Sequence, residues 1–302
     1  MLSILIPTYN YNCLELIKRL NEQALKANIN YEIIVMDDCS PRKKTQNLNI
    51  NRLDNCQYIE LTTNNGRSKI RNMLADKAKY DNLLFLDCDA AVCSDSFIQN
   101  YVEFCKEENI VVCGGRTYKE QPPKNKKFYL HWLYGSKREV IPIKERQKNA
   151  SHSFMSNNFL ISKKIFNSIR FNENIRSYGH EDTLFGFELR IREQKIIHIE
   201  NPLLHIGLES ARQVIKKEKD SIHNLLLICN ALFSLEEMAN EIKLLSYCLK
   251  IKNLHLSKPL SLFYQLFHKS IERNLTGNLP SLFLLDTYKL SYFFYLKTKY
   301  EN

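Results

Sequence analysis

Two apolar runs in the N-terminal third of the chain end abruptly in acid. Tyr31–Met36 (YEIIVM) runs into Asp37-Asp38, and Asn82–Leu86 (NLLFL) runs into Asp87-Cys88-Asp89. Unbroken apolar character over so few residues marks strands covered on both faces. Ser3–Ile6, Tyr58–Leu61 and Ile110–Gly114 read as further strands. Helical patterns fall between them: Leu14–Ala27, with apolar residues at 14, 17, 20, 24 and 27, then Ser68–Ala78 and Phe97–Glu107. Strands alternating with helices predict an α/β fold built on a mainly parallel sheet. In open sheets of this kind ligands bind beyond the carboxyl ends of the strands, where both acidic clusters fall. Gathering Asp37, Asp38, Asp87 and Asp89 there is costly unless a cation neutralises them.

The periodicity dissolves between Gly115 and about Lys148, where Pro122-Pro123 breaks the chain and ten Lys or Arg face three Glu from Arg116 onward. Such a segment is either a solvated loop or a mobile basic stretch that meets an anionic ligand or membrane surface. Ser151–Ile161 then reads as a strand and Lys163–Ile169 as a short helix. Gly179-His180-Glu181-Asp182 leads into a helix over Thr183–Gln194, and a strand at Ile196–Glu200 ends before Pro202 and His205. Beyond Ser210 the pattern is helical throughout, near 210–233, 236–252, 259–274 and 280–299. The expected organisation is one domain over 1–209, divided into a nucleotide-binding half (1–114) and an acceptor and catalytic half (115–209), followed by a helical region over 210–302.

Composition removes several function classes. Among 302 residues there are only eight glycines, and no G-x-G-x-x-G, G-x-x-x-x-G-K-[ST] or G-x-S-x-G occurs. Dinucleotide-binding Rossmann, P-loop and α/β-hydrolase readings lose their main support. The nine cysteines are odd in number and include no C-x-x-C pair, which disfavours a disulfide framework or structural zinc. Met1–Pro7 has no basic leader and already reads as a strand, and no stretch is long and apolar enough for a membrane span, so a cytoplasmic protein is expected. The net charge of +10 prompts a nucleic-acid-binding alternative, but no nucleic-acid motif is present.

Five groups of residues could carry chemistry. Asp87 and Asp89, at i and i+2 of a strand end, project to one side and can grip one hard cation; a solvated strand end would look the same. Asp38 in Asp37-Asp38-Cys39-Ser40 can accept a base N–H, or the segment is an ordinary capped turn. Asn65-Gly66-Arg67 with Arg71-Asn72 puts two cations four apart on a helix, beside donor phosphates or simply in water. Glu181 and Asp182 open a helix whose dipole favours their ionised form, as caps or with one as general base. His205 is a structural histidine or a further ligand of the cation at the Asp-x-Asp site.

In this order and spacing, the residues resemble the inverting GT-A glycosyltransferases of family 2 over most of 1–210. Ser3–Asn10 is similar to that family's opening strand, Tyr31–Ser40 to its E-x-x-V-V-D-D-G-S segment and Asn65–Asn72 to N-x-G-x-x-x-A-R-N. Leu84–Asp89 resembles the D-x-D strand, and Phe171-Asn172-Glu173 through Asp182 resembles F-D-E…G-x-E-D. The resemblance implies a nucleotide-sugar site at Pro7, Thr8, Tyr9, Asp38, Asn65, Gly66, Arg71, Asp87 and Cys88. It implies Mn2+ or Mg2+ on Asp89, Asp87 and His205, Asp182 as the base for the acceptor hydroxyl, and Glu181 binding or orienting the sugar. Cys39 stands where the family has Gly, and Asn172 where it has Asp.

The implied activity is metal-dependent transfer, with inversion, from a UDP-sugar to a glycan or lipid-linked glycan in cell-surface polysaccharide synthesis. A sugar-1-phosphate nucleotidyltransferase is the enzymatic alternative. The aromatic C-terminal helices, with Phe263, Tyr264, Phe267, Phe283, Tyr288 and Tyr292 among Lys289, Lys297 and Lys299, are expected to pack on their own domain. The rival is an interfacial surface at the inner face of the cytoplasmic membrane, and self-association through the same face stays open.

Overall fold

The computed structural model describes residues 1–42, 44–107, 109–175, 178–231 and 233–301. The chain divides into two compact units, one of Met1–Lys119, Glu139–Arg176 and Glu181–Gly207, the other of Glu120–Arg138, Ser177–His180 and Leu208–Asn302.

The first unit is built from β1 (Leu2–Thr8), α1 (Leu14–Lys26), β2 (Tyr31–Asp37), β3 (Cys56–Glu60), α2 (Arg67–Lys77), β4 (Asn82–Leu86), β5 (Ala90–Val92) and α3 (Phe97–Val102). It continues through β6 (Ile110–Cys113) and β7 (Arg116–Thr117). A helix of the other unit, α4 (Tyr129–Tyr134), then intervenes. After it come α5 (Ile143–Lys148), β8 (Asn158–Ser162), α6 (Lys163–Ile169), α7 (Glu181–Ile191), β9 (Lys195–His198) and β10 (Leu203–His205).

Seven strands form one sheet in the order β3-β2-β1-β4-β8-β6-β9. All neighbours are parallel except β8, which runs antiparallel between β4 and β6. The mainly parallel α/β fold expected from the sequence is thus the one observed. Alternate residues of each apolar run enter opposite cores: Leu84 and Leu86 join α1 on one face, while Leu83 and Phe85 join α2 on the other. That two-sided burial is why these strands carry no polar alternation. The second core is rich in phenylalanine, with the rings of Phe171 and Phe185 stacked 4.4 Å apart.

One expected strand needs correction, and one sheet was not anticipated. Ser151–Asn157 forms turns rather than strand; its apolar residue Phe154 plugs the phenylalanine core from a loop, which mimics a strand signal. A second, three-stranded sheet, β5-β10-β7, gave no recognisable pattern because its strands are two or three residues long.

The second unit contains α8 (Ala211–Ala231), α9 (Leu235–Ala239), α10 (Lys243–Asn253), α11 (Ser257–Leu275) and α12 (Leu282–Glu301). The helix expected over 236–252 is two helices: a capping box at Ser234 and Glu237 starts α9, Asn240 ends it, and Ile242 is extended before α10 begins. α11 and α8 both pack on α12, burying Tyr288, Tyr292, Phe293 and Phe294. Lys289, within that aromatic stretch, pairs with Glu218 at 2.6 Å. Among the described residues no helix is long and apolar enough to cross a membrane.

Candidate active site

The turn after β2 is held by its first acid. Asp37 is buried and accepts hydrogen bonds from the Ser40 N–H (2.7 Å), the Ser40 hydroxyl (2.8 Å) and the Tyr58 hydroxyl (3.0 Å). Cys39 adopts φ +59°, the left-handed conformation for which the family uses Gly, so the turn keeps its shape at the cost of strain. Asp38 spends its carboxylate on main chain: Oδ1 accepts from the Asn65 N–H at 2.7 Å and Oδ2 from the Gly66 N–H at 2.8 Å. The sequence left open a contact with a base or a capping role; the geometry is that of an anchor for the loop that opens α2. Gly66, at φ +82°, makes the sharp entry into that helix. Its neighbour Asn65 donates its side-chain amide to the Thr63 carbonyl. Thr8 ends β1 beside this turn, its carbonyl accepting the Asp38 N–H at 3.0 Å, preceded by Pro7 and followed by the exposed Tyr9.

Two arginines of α2 then reach across the strand ends. Arg67 bonds through Nε to Glu181 at 2.5 Å. Arg71, one turn later and only 2% exposed, donates to the Arg67 carbonyl (3.1 Å) and to Asp87 Oδ1 (3.0 Å), with its guanidinium over the Phe171 ring. Arg116 holds Asp87 from the other side, Nη2 to Oδ2 at 3.1 Å, and bonds Glu139 at 3.0 Å; the Tyr118 hydroxyl shares that Glu139 oxygen. Asp87, expected both at the ribose and on the metal, therefore has each oxygen engaged by a guanidinium that competes with a cation for it. Cys88 is half-buried against the apolar core, and burial pushes its thiol pKa well up, so it is inert at neutral pH.

Asp89 faces a different partner. β10 pairs antiparallel with β5, setting His205 opposite Ala90, and the Ile206 and Gly207 N–H groups donate to the Asp89 carbonyl at 2.9 and 3.2 Å. The Asp89 carboxylate then lies 3.5 Å from His205 Nδ1. Desolvation favours its neutral form, but His205, Arg116 and Arg67 outweigh it and lower the pKa to about 2. Gly207 makes the approach feasible: a Cβ there would lie 2.6 Å from the Asp89 Cβ and Oδ2. One carboxylate oxygen and one imidazole nitrogen suit a first-row divalent ion such as Mn2+. Among the described residues no group of three or more His, Cys, Asp and Glu is placed to hold a metal. The Asp89–His205 pair offers at most two protein ligands, so any cation held there would take its remaining ligands from water or another molecule.

The first turn of α7 brings Glu181 and Asp182 to the same cluster. Desolvation opposes the Glu181 charge, yet Arg67 and Arg71 hold its pKa down. Asp182 goes the other way: desolvation and the adjacent Glu181 charge raise its pKa to about 6, only partly offset by the Thr183 N–H on Oδ1 at 2.8 Å. Neighbouring acids with pKa values pushed apart mark a division of acid–base roles. Sequence reasoning missed Tyr118, Glu139 and Gly207, and took Arg116 only as part of a basic run. Their one signal was charge in an aperiodic segment, and for Gly207 its closeness to His205.

The glycosyl transferase family 2 model matches residues 3–170. The chain belongs to that family. Two Haemophilus influenzae proteins described as uncharacterized glycosyltransferases match this family 2 chain: one at 30% identity over 122 residues, 38% of this chain and 46% of that protein. The other is 35% identical over 89 residues, 30% and 29% of the two chains. The matched stretch thus spans less than half of those relatives' own length. Among solved structures, the mannosyltransferase PcManGT from Pyrobaculum calidifontis, in complex with GDP-Man and Mn2+, superposes with a TM-score of 0.56 at 12% identity, covering 100% of this chain and 87% of that one. S. aureus TarS 1–349 in complex with UDP-GlcNAc gives 0.53 at 15% identity, covering 100% and 92%. At such identities these two establish the shared GT-A fold.

Proposed function

We propose that this family 2 enzyme is a metal-dependent inverting glycosyltransferase that moves a sugar from a UDP-sugar to a hydroxyl of a glycan or lipid-linked glycan, in the assembly of a surface polysaccharide. One observation carries the reading. Acids from separate stretches of chain, Asp38, Asp87, Asp89 and the Glu181-Asp182 pair, gather around the start of α2, where the charge of Arg67 acts on Asp89, Glu181 and Asp182, and that of Arg71 on Glu181 and Asp182. TarS has been crystallised with UDP-GlcNAc and PcManGT with GDP-Man and Mn2+, which supports a nucleotide-sugar donor here.

The residues divide the work. Thr8, Tyr9, Asn65 and Gly66 border the nucleotide, with Asp38 fixing the loop. Arg71 and Arg116 hold Asp87 rigid toward the ribose. Asp89 and His205 would hold the cation, whose chemistry there would be to neutralise negative charge on diphosphate oxygens. Glu181, kept ionised by Arg67, accepts hydrogen bonds from sugar hydroxyls. Asp182 takes the proton of the acceptor hydroxyl as it attacks the anomeric carbon opposite the leaving group. A nucleotidyltransferase would use a phosphate oxygen that is already ionised and has no need of such a base.

The test is the anomeric configuration of the product, followed by NMR with UDP-sugars and Mn2+. Inversion is expected, and Asp182→Asn should lose turnover by about 10² or more while keeping its donor affinity. Retention of configuration, or near-normal turnover of the variant, would remove Asp182 from this role.

A further inference from the structure

The helical unit contains a cleft of about 490 Å3 walled by α8 and α11, a volume in the range of ligand sites. Its lining is strongly one-signed. Arg212, Lys216 and Lys219 come from α8, Lys269 and Arg273 from α11, against a single carboxylate, Glu272. That carboxylate is already taken, by Lys219 Nζ at 3.0 Å and by the Tyr288 hydroxyl. Arg212, Lys216, Lys269 and Arg273 are exposed, and among the described residues they form no ion pair. Of the other acids on or just before α8, Glu218 pairs with Lys289 and Glu209 with Lys217, while Asp220, one turn beyond Lys216, does not line the cleft.

Cations three or four residues apart on one helix face repel, and a second row on the facing helix adds to it. A solvated surface would intersperse acids; this one leaves the repulsion in place around a concavity. Arginine forks and lysine ammonium groups together match the oxygens of phosphate. We propose that this cleft binds a phosphate-rich anion, either a phosphorylated lipid headgroup or a soluble phosphorylated ligand. Exposed Leu262 and Leu266 continue the stripe of Lys269 and Arg273 along α11, which gives a headgroup an apolar neighbour. The cleft lies wholly within the helical unit, so the proposal does not rest on the assignment of the donor site.

Two probes separate the sources: inositol hexakisphosphate in calorimetry, and cosedimentation with vesicles of phosphatidylcholine and phosphatidylglycerol in equal parts, both with the full chain. The double variant Lys216→Glu, Arg273→Glu should weaken binding of at least one probe by about tenfold or more, while Lys252→Glu, Lys258→Glu, the same number of reversals on exposed lysines outside the cleft, leaves it unchanged. Binding to vesicles alone identifies the lipid source, and binding of the hexakisphosphate the soluble one. The cleft variant should melt no lower than the parent, since it removes repulsion; the milder Lys216→Gln with Arg273→Gln repeats the test without introduced acids. Failure of both probes to bind, or equal loss in the cleft and control variants, would overturn the proposal.

Discussion

At Asp182 a single carboxyl group links stability to chemistry. Its pKa near 6 in the folded chain, against 3.8 as a free side chain, means the native state holds the proton more tightly than the unfolded one. Its contribution to stability is therefore greatest in acid and is lost as pH rises from about 4 through about 6. In its proposed role as base, by contrast, Asp182 would work only when ionised, so turnover should fall on the acid side with an apparent pKa close to 6. Asp182→Asn should lose that limb together with activity, yet melt higher than the parent at pH 8; a flat pH profile in the parent would disconnect Asp182 from the reaction. Cys39 supplies a second residue-level test. Relief of left-handed strain, about 1–2 kcal/mol, is opposed by the extra backbone freedom of Gly, about 0.4–1 kcal/mol. Cys39→Gly should then stabilise the chain by roughly 0.5–1 kcal/mol in urea unfolding, and a destabilised variant would show that the thiol contributes more than the turn loses.

Among elements, the start of α2 joins several segments, since it receives Asp38 from the turn after β2 and offers Arg67 to α7 and Arg71 to Asp87 just beyond β4. Hydrogen bonds to a charged group are worth about 1.5–3 kcal/mol each, so Asp38→Ala should cost about 3 kcal/mol or more in urea unfolding. A stability unchanged by this substitution would leave Asp38 as a ligand contact only. The pairing of β5 with β10 is tested in the same way: Gly207→Ala should push the Asp89 side chain away from His205, weaken metal-dependent donor binding about tenfold and lower the melting temperature, since the new Cβ would lie 2.6 Å from the Asp89 Cβ. Affinity equal to the parent would separate Gly207 from the cation site. The long strands and α2 were readable because burial on two faces writes itself into an unbroken apolar run. β5, β7 and β10 were not, because strands of two or three residues carry no period. The acids Asp87, Asp89, Glu181 and Asp182 could be picked out as a motif set, but the guanidinium clamp on Asp87 could not, since Arg116 and Glu139 sit in a stretch whose pattern fails. The motif singled out Asp38 over Asp37, but did not show that Asp37 is spent on its own turn and Asp38 on a loop 27 residues away.

Taken whole, the molecule places its acids and its excess of base differently. The net charge of +10 coexists with a cluster of carboxylates, each met by an arginine, a histidine or main-chain N–H groups, and with a separate run of cations in the helical unit. A ligand that binds only the folded chain raises its melting temperature by mass action, so UDP-sugars with Mn2+ should stabilise the protein by an amount that grows with the logarithm of donor affinity. The family match ends at residue 170, ahead of Glu181, Asp182 and His205, so the roles proposed for them draw on the resemblance of the later motif and on the geometry of the cluster. The decisive measurement is calorimetric titration of a UDP-sugar into the parent chain and into Asp89→Ala, each with and without Mn2+. Metal should tighten binding in the parent by about tenfold or more and have almost no effect in the variant. Equal affinities in all four titrations, or a metal effect that survives loss of the Asp89 carboxylate, would contradict the assignment of that strand end to a cation shared with the donor diphosphate.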